Sequence, residues 1–210
     1  MKIVFFGDSI TDMGRDRSCD LSAFSYGAGY SFLVTARLTK DEPGKYEIYN
    51  HGISGDRSVD LYARIKRDVW NVKPDVLSIL VGVNDVLHEI EWQNGVDIQR
   101  YERVYRTLLK ETLERLPDVK IVLMEPYFLR GSLTEGKIDQ YEQVKEYAKV
   151  VKKLAEEFGL KFIPLQKKLD EYAEKYGDEK FSYDGIHPAL AGSQLFADEW
   201  LECMKDVLKG

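Results

Sequence analysis

The chain is 210 residues long and carries 30 basic and 36 acidic side chains, which gives a formal net charge of −6 at pH 7. This acidic balance disfavours nonspecific binding to nucleic acid, because phosphate contacts need concentrated lysine and arginine. Met1-Lys2 is followed by only four apolar residues before Gly7, too few for a secretion signal, and no apolar run approaches the length of a membrane span. We therefore expect a cytoplasmic protein without nucleic-acid or membrane partners.

Short apolar runs rich in β-forming residues alternate along the chain with longer segments whose apolar residues recur every three or four positions. The predicted strands are residues 2–6, 47–50, 76–81, 120–124 and 161–164. The predicted helices are residues 30–38, 59–69, 98–116, 138–158 and 190–208. Lysine, arginine and glutamate fill much of the opposite helix faces, as is typical of helices that pack on one side.

Strands that alternate with helices predict a parallel sheet whose strands are joined by right-handed crossovers and which is covered on both faces. We expect an α/β fold, a doubly wound, flavodoxin-like three-layer α/β/α sandwich with a five-stranded parallel sheet. The length and the uniform composition predict a single domain over residues 1–210. Because such sheets bind ligands at the carboxyl ends of their strands, the polar segments after the first three strands should meet there.

Two short segments at opposite ends of the chain supply a serine, a histidine and an aspartate. A serine hydroxyl attacks an ester at neutral pH when an imidazole takes its proton and a carboxylate orients that imidazole. His187 is the best placed of the three histidines, because Asp184 lies three residues earlier and Gly185 permits a tight turn between them. Taken singly, Ser9 is more typical of a turn or a helix N-cap than of a nucleophile, and the pair of Asp184 and His187 is more typical of a loop hydrogen bond than of a catalytic pair.

Amide donors follow the second and third predicted strands. The segment NHGISGD at residues 50–56 contains glycines that permit the backbone to turn, so that the N–H of Gly55 faces a ligand. The segment GVND at residues 82–85 places Asn84 just past a buried strand. Such donors stabilise the negative charge that collects on a carbonyl oxygen after nucleophilic attack. Each segment alone is typical of an ordinary strand-to-helix turn, but the four segments together indicate an esterase.

In order and spacing, the four segments resemble the blocks of the SGNH hydrolases, also called GDSL-type esterases and lipases. The resemblance spans most of the chain. It implies that Ser9 is the nucleophile and that His187 is the base, oriented by Asp184. It also implies an oxyanion hole formed by the backbone N–H groups of Ser9 and Gly55 and by the side-chain amide of Asn84.

Within that family, the segments at residues 7–15, 26–30 and 82–86 are most similar to those of intracellular acetylesterases that deacetylate xylan fragments. The implied partner is a small-molecule or oligosaccharide ester. The predicted substrate-binding residues are Asp8, Tyr26, Tyr30 and Trp92, and Tyr127 is a further aromatic candidate.

Flat aromatic rings in or near loops at the active edge suit stacking against sugar rings, although core packing explains any one of them equally well. A lysophospholipase or thioesterase of the same fold is the nearest enzymatic alternative. Outside the enzymes, the alternative is a noncatalytic carbohydrate-binding protein. The loops that carry the site show no amphipathic lid, which argues against a lipase, and the complete set of functional groups argues against a decayed site.

The remaining reactive side chains point to no metal and no cofactor. Cys19 and Cys203 are too few and too far apart for a disulfide scaffold or a zinc site, so free thiols are expected. His51 is interpreted as a turn histidine, and the alternative is that it shapes the pocket. His88 is interpreted as a helix-surface residue, and the alternative is a contact with substrate. A homo-oligomer is compatible with the sequence, but no heptad pattern specifies one.

Overall fold

The computed structural model describes residues 1–209, in which five parallel strands form one sheet. The strands are β1 (Lys2–Gly7), β2 (Glu47–Gly52), β3 (Val76–Leu80), β4 (Lys120–Met124) and β5 (Lys161–Ile163). Their order across the sheet is β2-β1-β3-β4-β5. Since this is the flavodoxin-like order, the predicted α/β/α sandwich is confirmed, and each predicted strand ends within two residues of the observed one.

Nine α-helices occur within the described part of the chain, and none of them combines the length and the apolar character that a membrane crossing requires. They are α1 (Ser9–Asp12), α2 (Tyr30–Asp41), α3 (Ser58–Ile65), α4 (Val83–Trp92), α5 (Ile98–Arg115), α6 (Ile138–Tyr141), α7 (Val144–Phe158), α8 (Gln166–Tyr176) and α9 (Leu190–Lys209). A π-helical segment, Lys66–Trp70, continues α3.

Three helices were not predicted, and one prediction was too long. Helices α1 and α4 begin inside the glycine-containing segments that follow β1 and β3, where the sequence is typical of turns. Helix α8 buries only Leu169 and Ala173, so few apolar residues mark its buried face. The helix predicted over residues 138–158 is divided into α6 and α7 by a turn at residues 142 and 143.

Two helical layers cover the sheet. Helices α2 and α9 pack together on one face, while α3, α5 and α7 lie on the other. Adjacent residues of β1 point to opposite layers: the ring of Phe5 lies 5.2 Å from that of Trp200 in α9, and the guanidinium of Arg64 in α3 lies 4.4 Å over the ring of Phe6. Both phenylalanines are fully buried, as expected of a strand covered on both faces.

The register of the strands brings three loops to one edge of the sheet. Gly7 at the end of β1 pairs with Gly52 at the end of β2 and with Leu80 at the end of β3. The strand order reverses at β1, and the crevice at such a reversal is where open α/β sheets bind ligands. The loops that follow these strands carry the predicted oxyanion donors.

Candidate active site

The side chains of Ser9, His187 and Asp184 form one hydrogen-bonded series. Nε2 of His187 lies 2.8 Å from Oγ of Ser9, and Nδ1 lies 2.6 Å from Oδ2 of Asp184. Because a carboxylate only accepts hydrogen bonds, Nδ1 carries the proton of the neutral ring, and Nε2 accepts from the Ser9 hydroxyl. The structure thus brings together the three residues predicted as a triad, in a geometry that allows the serine proton to be removed as the oxygen attacks.

The electrostatics of the pair favour a protonated imidazole. Burial opposes ionisation of Asp184, but hydrogen bonds from the His187 side chain and from the backbone N–H groups of His187 and Ile186 outweigh it and hold the pKa of Asp184 below its usual value. Burial also lowers the pKa of His187, yet the hydrogen bond and the charge of Asp184 raise it to a net value above the ordinary one. The imidazolium that forms during proton transfer is therefore stabilised.

The loop after β4 holds the turn at residues 184–187. Gly185 adopts a φ of 97°, which side-chain-bearing residues rarely reach, and its carbonyl accepts a 2.8 Å hydrogen bond from the N–H of Leu129. The hydroxyl of Tyr127 donates to the carbonyl of Ile186 at 2.5 Å. Tyr127 is fully buried, so it cannot stack on a sugar, and its hydrogen bond to Ile186 stabilises the turn instead.

The three predicted oxyanion donors lie on turns that leave neighbouring strands. Gly55 is exposed with a φ of 87°, and among residues 1–209 its N–H donates to no other group. The amide nitrogen of Asn84 donates to the carbonyl of Asp56 at 3.0 Å, which places it beside Gly55 and leaves its second N–H for a ligand. Ser9 is the first residue of α1, where a backbone N–H lacks a partner within the helix.

The prediction that Tyr30 contacts substrate is wrong. Its ring is fully buried and packs edge-on against Phe5 at 5.6 Å and Phe196 at 6.3 Å, and its hydroxyl lies 3.1 Å from Oγ1 of Thr11. A ring enclosed between the sheet and α9 has no face for a sugar. Tyr30 begins α2, and the apolar periodicity of that helix already favoured a core position.

Asp8 does not face a substrate either. It is fully buried, and its Oδ1 accepts the N–H of Ile10 at 2.9 Å, which caps the first turn of α1. Its Oδ2 has no hydrogen-bond partner within the described residues. Burial raises the pKa of Asp8 to about 7, against the lowering effects of the Ile10 N–H and of His187. The predicted substrate contact is thus corrected to a buried cap beside the nucleophile.

Tyr26 and Trp92 keep accessible surface. Tyr26 is partly exposed, and its carbonyl accepts a 2.8 Å hydrogen bond from the side chain of Asn50. Trp92 is 63% exposed and meets the ring of His88 edge-on at 4.7 Å. Eight residues of helix separate Trp92 from Asn84, about 12 Å along the axis. The role of both aromatic residues in binding substrate stays a prediction.

Tyr183 is a site residue that the sequence did not single out. Its ring stacks on that of His187 with a centroid separation of 5.8 Å and an interplanar angle of 12°, and 58% of its surface is exposed. It therefore shields one face of the imidazole and offers its own outer face to a ligand. The available signal was its position directly before Asp184.

Arg64 was also missed. Its guanidinium donates to the carbonyls of Gly7 and His51 and to the carboxylates of Asp56 and Asp68, at 2.6 to 3.0 Å. Its side chain is only 10% exposed. It ties the ends of β1 and β2 to the loop that carries Gly55. Nothing in the sequence distinguishes this arginine from those of a solvated helix face.

The other reactive side chains have ordinary surroundings. Within residues 1–209, no three or more His, Cys, Asp or Glu side chains are grouped so as to hold a metal ion, and Cys19 and Cys203 are free. His51 lies in β2 and not in a turn, so that interpretation is corrected; its buried ring is satisfied within the protein, where Nδ1 lies 2.6 Å from the carbonyl of Asp68.

The chain resembles known proteins in both sequence and structure. The chain is 34% identical to an acetylxylan esterase of Geobacillus stearothermophilus over 207 residues, which cover 95% of this chain and 92% of that enzyme. The crystal structure of the Geobacillus esterase superimposes with a TM-score of 0.86 at 32% identity, covering 97% and 93% of the two chains. A Parabacteroides merdae protein assigned to the GDSL-like lipases gives a TM-score of 0.91 at 38% identity, covering 97% and 95%.

The sequence model of the GDSL-like lipase/acylhydrolase family matches residues 5–195, a span that includes each segment of the site described above. Together with the likeness to an esterase over nearly the whole chain, this match settles the class of enzyme. The chain is a serine carboxylic ester hydrolase and belongs to the GDSL-like lipase/acylhydrolase family.

Proposed function

We propose that this hydrolase removes O-acetyl groups from carbohydrates such as xylo-oligosaccharides, with Ser9, Asp184 and His187 as its catalytic triad. The observation that carries the proposal is the hydrogen-bonded series in which His187 lies 2.8 Å from Ser9 and 2.6 Å from Asp184. Nucleophile, base and orienting carboxylate in this relation are what ester hydrolysis through an acyl-enzyme requires.

The relatives support both parts of the proposal. The Geobacillus protein is an acetylxylan esterase, also described as an acetyl-xylooligosaccharide esterase. Catalytic mutants of that enzyme have a serine, an aspartate or a histidine replaced by alanine. Its aspartate precedes its histidine by three positions, the same spacing as between Asp184 and His187.

The first half of the proposed reaction forms an acyl-enzyme. Neutral His187 takes the proton of Ser9 as the serine oxygen attacks the acetyl carbonyl. The oxyanion is held by the N–H groups of Ser9 and Gly55 and by the free N–H of Asn84. The imidazolium, stabilised by Asp184, then protonates the departing sugar oxygen, and the C–O bond of the ester breaks.

The second half releases acetate. Water takes the place of the sugar alcohol, and His187 removes its proton as the oxygen attacks the acetyl-serine. The same three donors hold the second oxyanion. Its collapse returns the proton from His187 to the oxygen of Ser9, so the enzyme regains its starting state.

Tyr183 supports a carbohydrate as the leaving group. Its exposed ring lies against His187, the residue that protonates the leaving group. A sugar that leaves from this position would therefore pass beside an accessible aromatic face. Sugar rings pack well on such faces, because aromatic side chains provide a large, flat apolar surface. Trp92 and Tyr26 offer further accessible aromatic surface for a longer substrate.

The test is the rate of acid release from a panel of esters, followed as proton release at constant pH. Acetylated xylo-oligosaccharides and other acetylated sugars are compared with octanoyl esters, thioesters and a phospholipid, with Ser9→Ala as the control for background hydrolysis. We expect the highest kcat/KM on an acetylated sugar and no release above background by the variant. Preference for the octanoyl ester, the thioester or the phospholipid would reject the carbohydrate assignment.

A further inference from the structure

The loop that carries Gly55 is held on one side by a carboxylate of α1. Oδ2 of Asp12 accepts hydrogen bonds from the backbone N–H of Ser54 at 2.9 Å and from its hydroxyl at 3.2 Å. Asp12 is 1% exposed and also forms an ion pair with Arg17. It lies on the same single helical turn as Ser9, so its carboxylate links the Gly55 loop to the nucleophile segment.

A second carboxylate holds the other side of the loop. The backbone N–H of Ser58 lies 3.1 Å from both carboxylate oxygens of Asp85, and its hydroxyl donates to Oδ1 at 2.6 Å. Asp85 and Ser58 are both buried. Asp85 directly follows Asn84, so this contact links the Gly55 loop to the segment of the third donor.

Between these two anchors, one donor is left unpaired. Asp56 is bound through its carbonyl by Asn84 and through its carboxylate by Arg64. Of Ser54, Gly55 and Asp56, only Gly55 has an N–H with no hydrogen-bond partner among residues 1–209. The neighbours of Gly55 are thus immobilised, in part by groups from the other two donor segments, while its own N–H stays available to a ligand.

We propose that Asp12 and Asp85 are positioning residues of the oxyanion hole, which fix the N–H of Gly55 relative to the donors of Ser9 and Asn84. The inference rests on the roles proposed above for those three donors. Burying a carboxylate is costly unless donors surround it, and each of these carboxylates uses donors of the Gly55 loop. Donors fixed before the reaction stabilise an oxyanion best, and a displacement of about 1 Å can reduce the rate about 10²-fold.

The experiment compares Asp12→Ala and Asp85→Ala with the wild type on p-nitrophenyl acetate. We expect kcat to fall about 10- to 100-fold in each variant, with KM changed less than about threefold, because the donors act on the transition state. Affinity for a boronic acid, which forms a tetrahedral adduct with an active serine, should fall in parallel with kcat/KM. Losses confined to KM, or an unchanged boronic-acid affinity, would overturn the proposal.

Two exposed carboxylates provide matched controls. Asp16 accepts the N–H and the hydroxyl of Ser18 at 2.8 and 2.6 Å, the same pair of bonds that Asp12 makes with Ser54. Asp97 accepts an N–H at the start of α5 at 3.0 Å, as Asp85 does at the start of α3. Asp16→Ala and Asp97→Ala should keep kcat within about twofold of the wild type. An equal loss in either control would show a general effect of removing a carboxylate cap and overturn the proposal.

A double variant separates positioning from mere structural support. Asp85→Ala should cost less than about threefold in kcat when Asn84 is already alanine, because residues that act as a unit are not additive. Asp85→Asn, which can still accept the Ser58 N–H, should regain at least about tenfold of the loss. Full additivity, or no rescue by asparagine, would reject a role through the donors.

Folding and the proposed mechanism are checked separately. If Asp85→Ala does not fold, Ser58→Ala replaces it; that variant loses only the hydroxyl bond, and we expect a fall in kcat of about fivefold. An unchanged kcat in Ser58→Ala would then reject the proposal. Full activity of Ser9→Ala would reject the proposed mechanism itself, whereas an inactive Ser9→Ala with fully active Asp12→Ala and Asp85→Ala would reject only the positioning role.

Discussion

Oγ of Ser9 lies 2.8 Å from Nε2 of His187, although 178 positions separate the two residues in the chain. One follows β1, the second strand in the order across the sheet, and the other precedes α9. Because α9 packs against α2, and the ring of Trp200 meets that of Phe5, the same core that stabilises the sheet brings the base to the nucleophile.

This contact predicts near-complete loss of turnover when either partner is removed. Ser9→Ala and His187→Ala should each lower kcat by at least about 10³-fold, since triad members act as a unit. Steady-state hydrolysis of p-nitrophenyl acetate measures the effect. Cys19→Ala is the control, because it removes a free thiol, another nucleophilic side chain, and should leave kcat unchanged. Retained activity in Ser9→Ala together with loss in Cys19→Ala would assign the nucleophile to the cysteine.

The hydrogen bond between Asp184 and His187 predicts a shift of the pH profile. Activity requires neutral His187, whose pKa is raised above its ordinary value, so kcat/KM should fall with decreasing pH around a midpoint above about 6.5. Asp184→Asn removes the charge that favours the imidazolium; the midpoint should therefore move to lower pH while kcat falls on the order of 10³- to 10⁴-fold. An acid limb that stays in place in the variant would contradict this coupling.

Asn84 is expected to act on the transition state rather than on binding. Asn84→Ala should lower kcat about 10²- to 10³-fold, the loss measured when a single oxyanion donor is removed, with little change in KM. Asn71→Ala, at an exposed helix end, is the matched amide control and should behave as the wild type. A kinetically silent Asn84→Ala would require another group to hold the oxyanion.

The burial of Asp8 predicts how the free energy of unfolding depends on pH. Its pKa is raised by burial from 3.8 to about 7, so between those values the folded state binds more protons than the unfolded state. Stability should therefore fall as pH rises through this window, by at most about 1.4 kcal/mol per pH unit for one group. The slope should be smaller in Asp8→Asn, and not zero, because burial raises the pKa of Asp85 to about 7 as well. Urea unfolding from pH 5 to 8 measures it; equal slopes would show that Asp8 titrates normally.

A substitution at Tyr183 should affect the hydrolysis of a sugar ester more than that of p-nitrophenyl acetate. Tyr183→Leu is expected to raise KM for an acetylated xylo-oligosaccharide about 2- to 10-fold, the equivalent of about 0.5–1.5 kcal/mol for an aromatic stacking contact. KM for p-nitrophenyl acetate should change less. Tyr176→Leu, another half-exposed tyrosine, whose ring contacts lie with Tyr172 and Phe181, is the control. Equal changes on both substrates would remove Tyr183 from the sugar site.

The parts of the fold that the sequence predicted are those with a strong local pattern. Strands buried on both faces appear as short runs of β-branched and aromatic residues, and amphipathic helices such as α5 and α7 show a clear period. The helix α1 is too short to show a period, and the polar helix α8 has few apolar residues to mark its buried face. Their positions follow from tertiary contacts, including the cap that Asp8 places on α1.

The chemical groups of the candidate site were predictable because they lie in short sequence motifs. The residues that hold those motifs in place were not predictable. Asp184 and His187 are three residues apart, so their contact is local. The contacts of Arg64 with the His51 carbonyl, of Asp85 with Ser58 and of Tyr127 with the Ile186 carbonyl join residues that lie 13 to 59 positions apart. A single sequence carries no signal for pairs at such distances. Tyr30 is a different case, because the periodicity of α2 did favour a core position and the prediction of a sugar contact went against it.

The distribution of the triad over the chain has a consequence for biosynthesis. A ribosome that has completed β3 and α4 has already made the proposed nucleophile and amide donors, whereas the proposed base is made only after β5 and α8. A chain that stops between α8 and Asp184 would therefore lack hydrolytic activity, although it contains all the residues of β1 to β5.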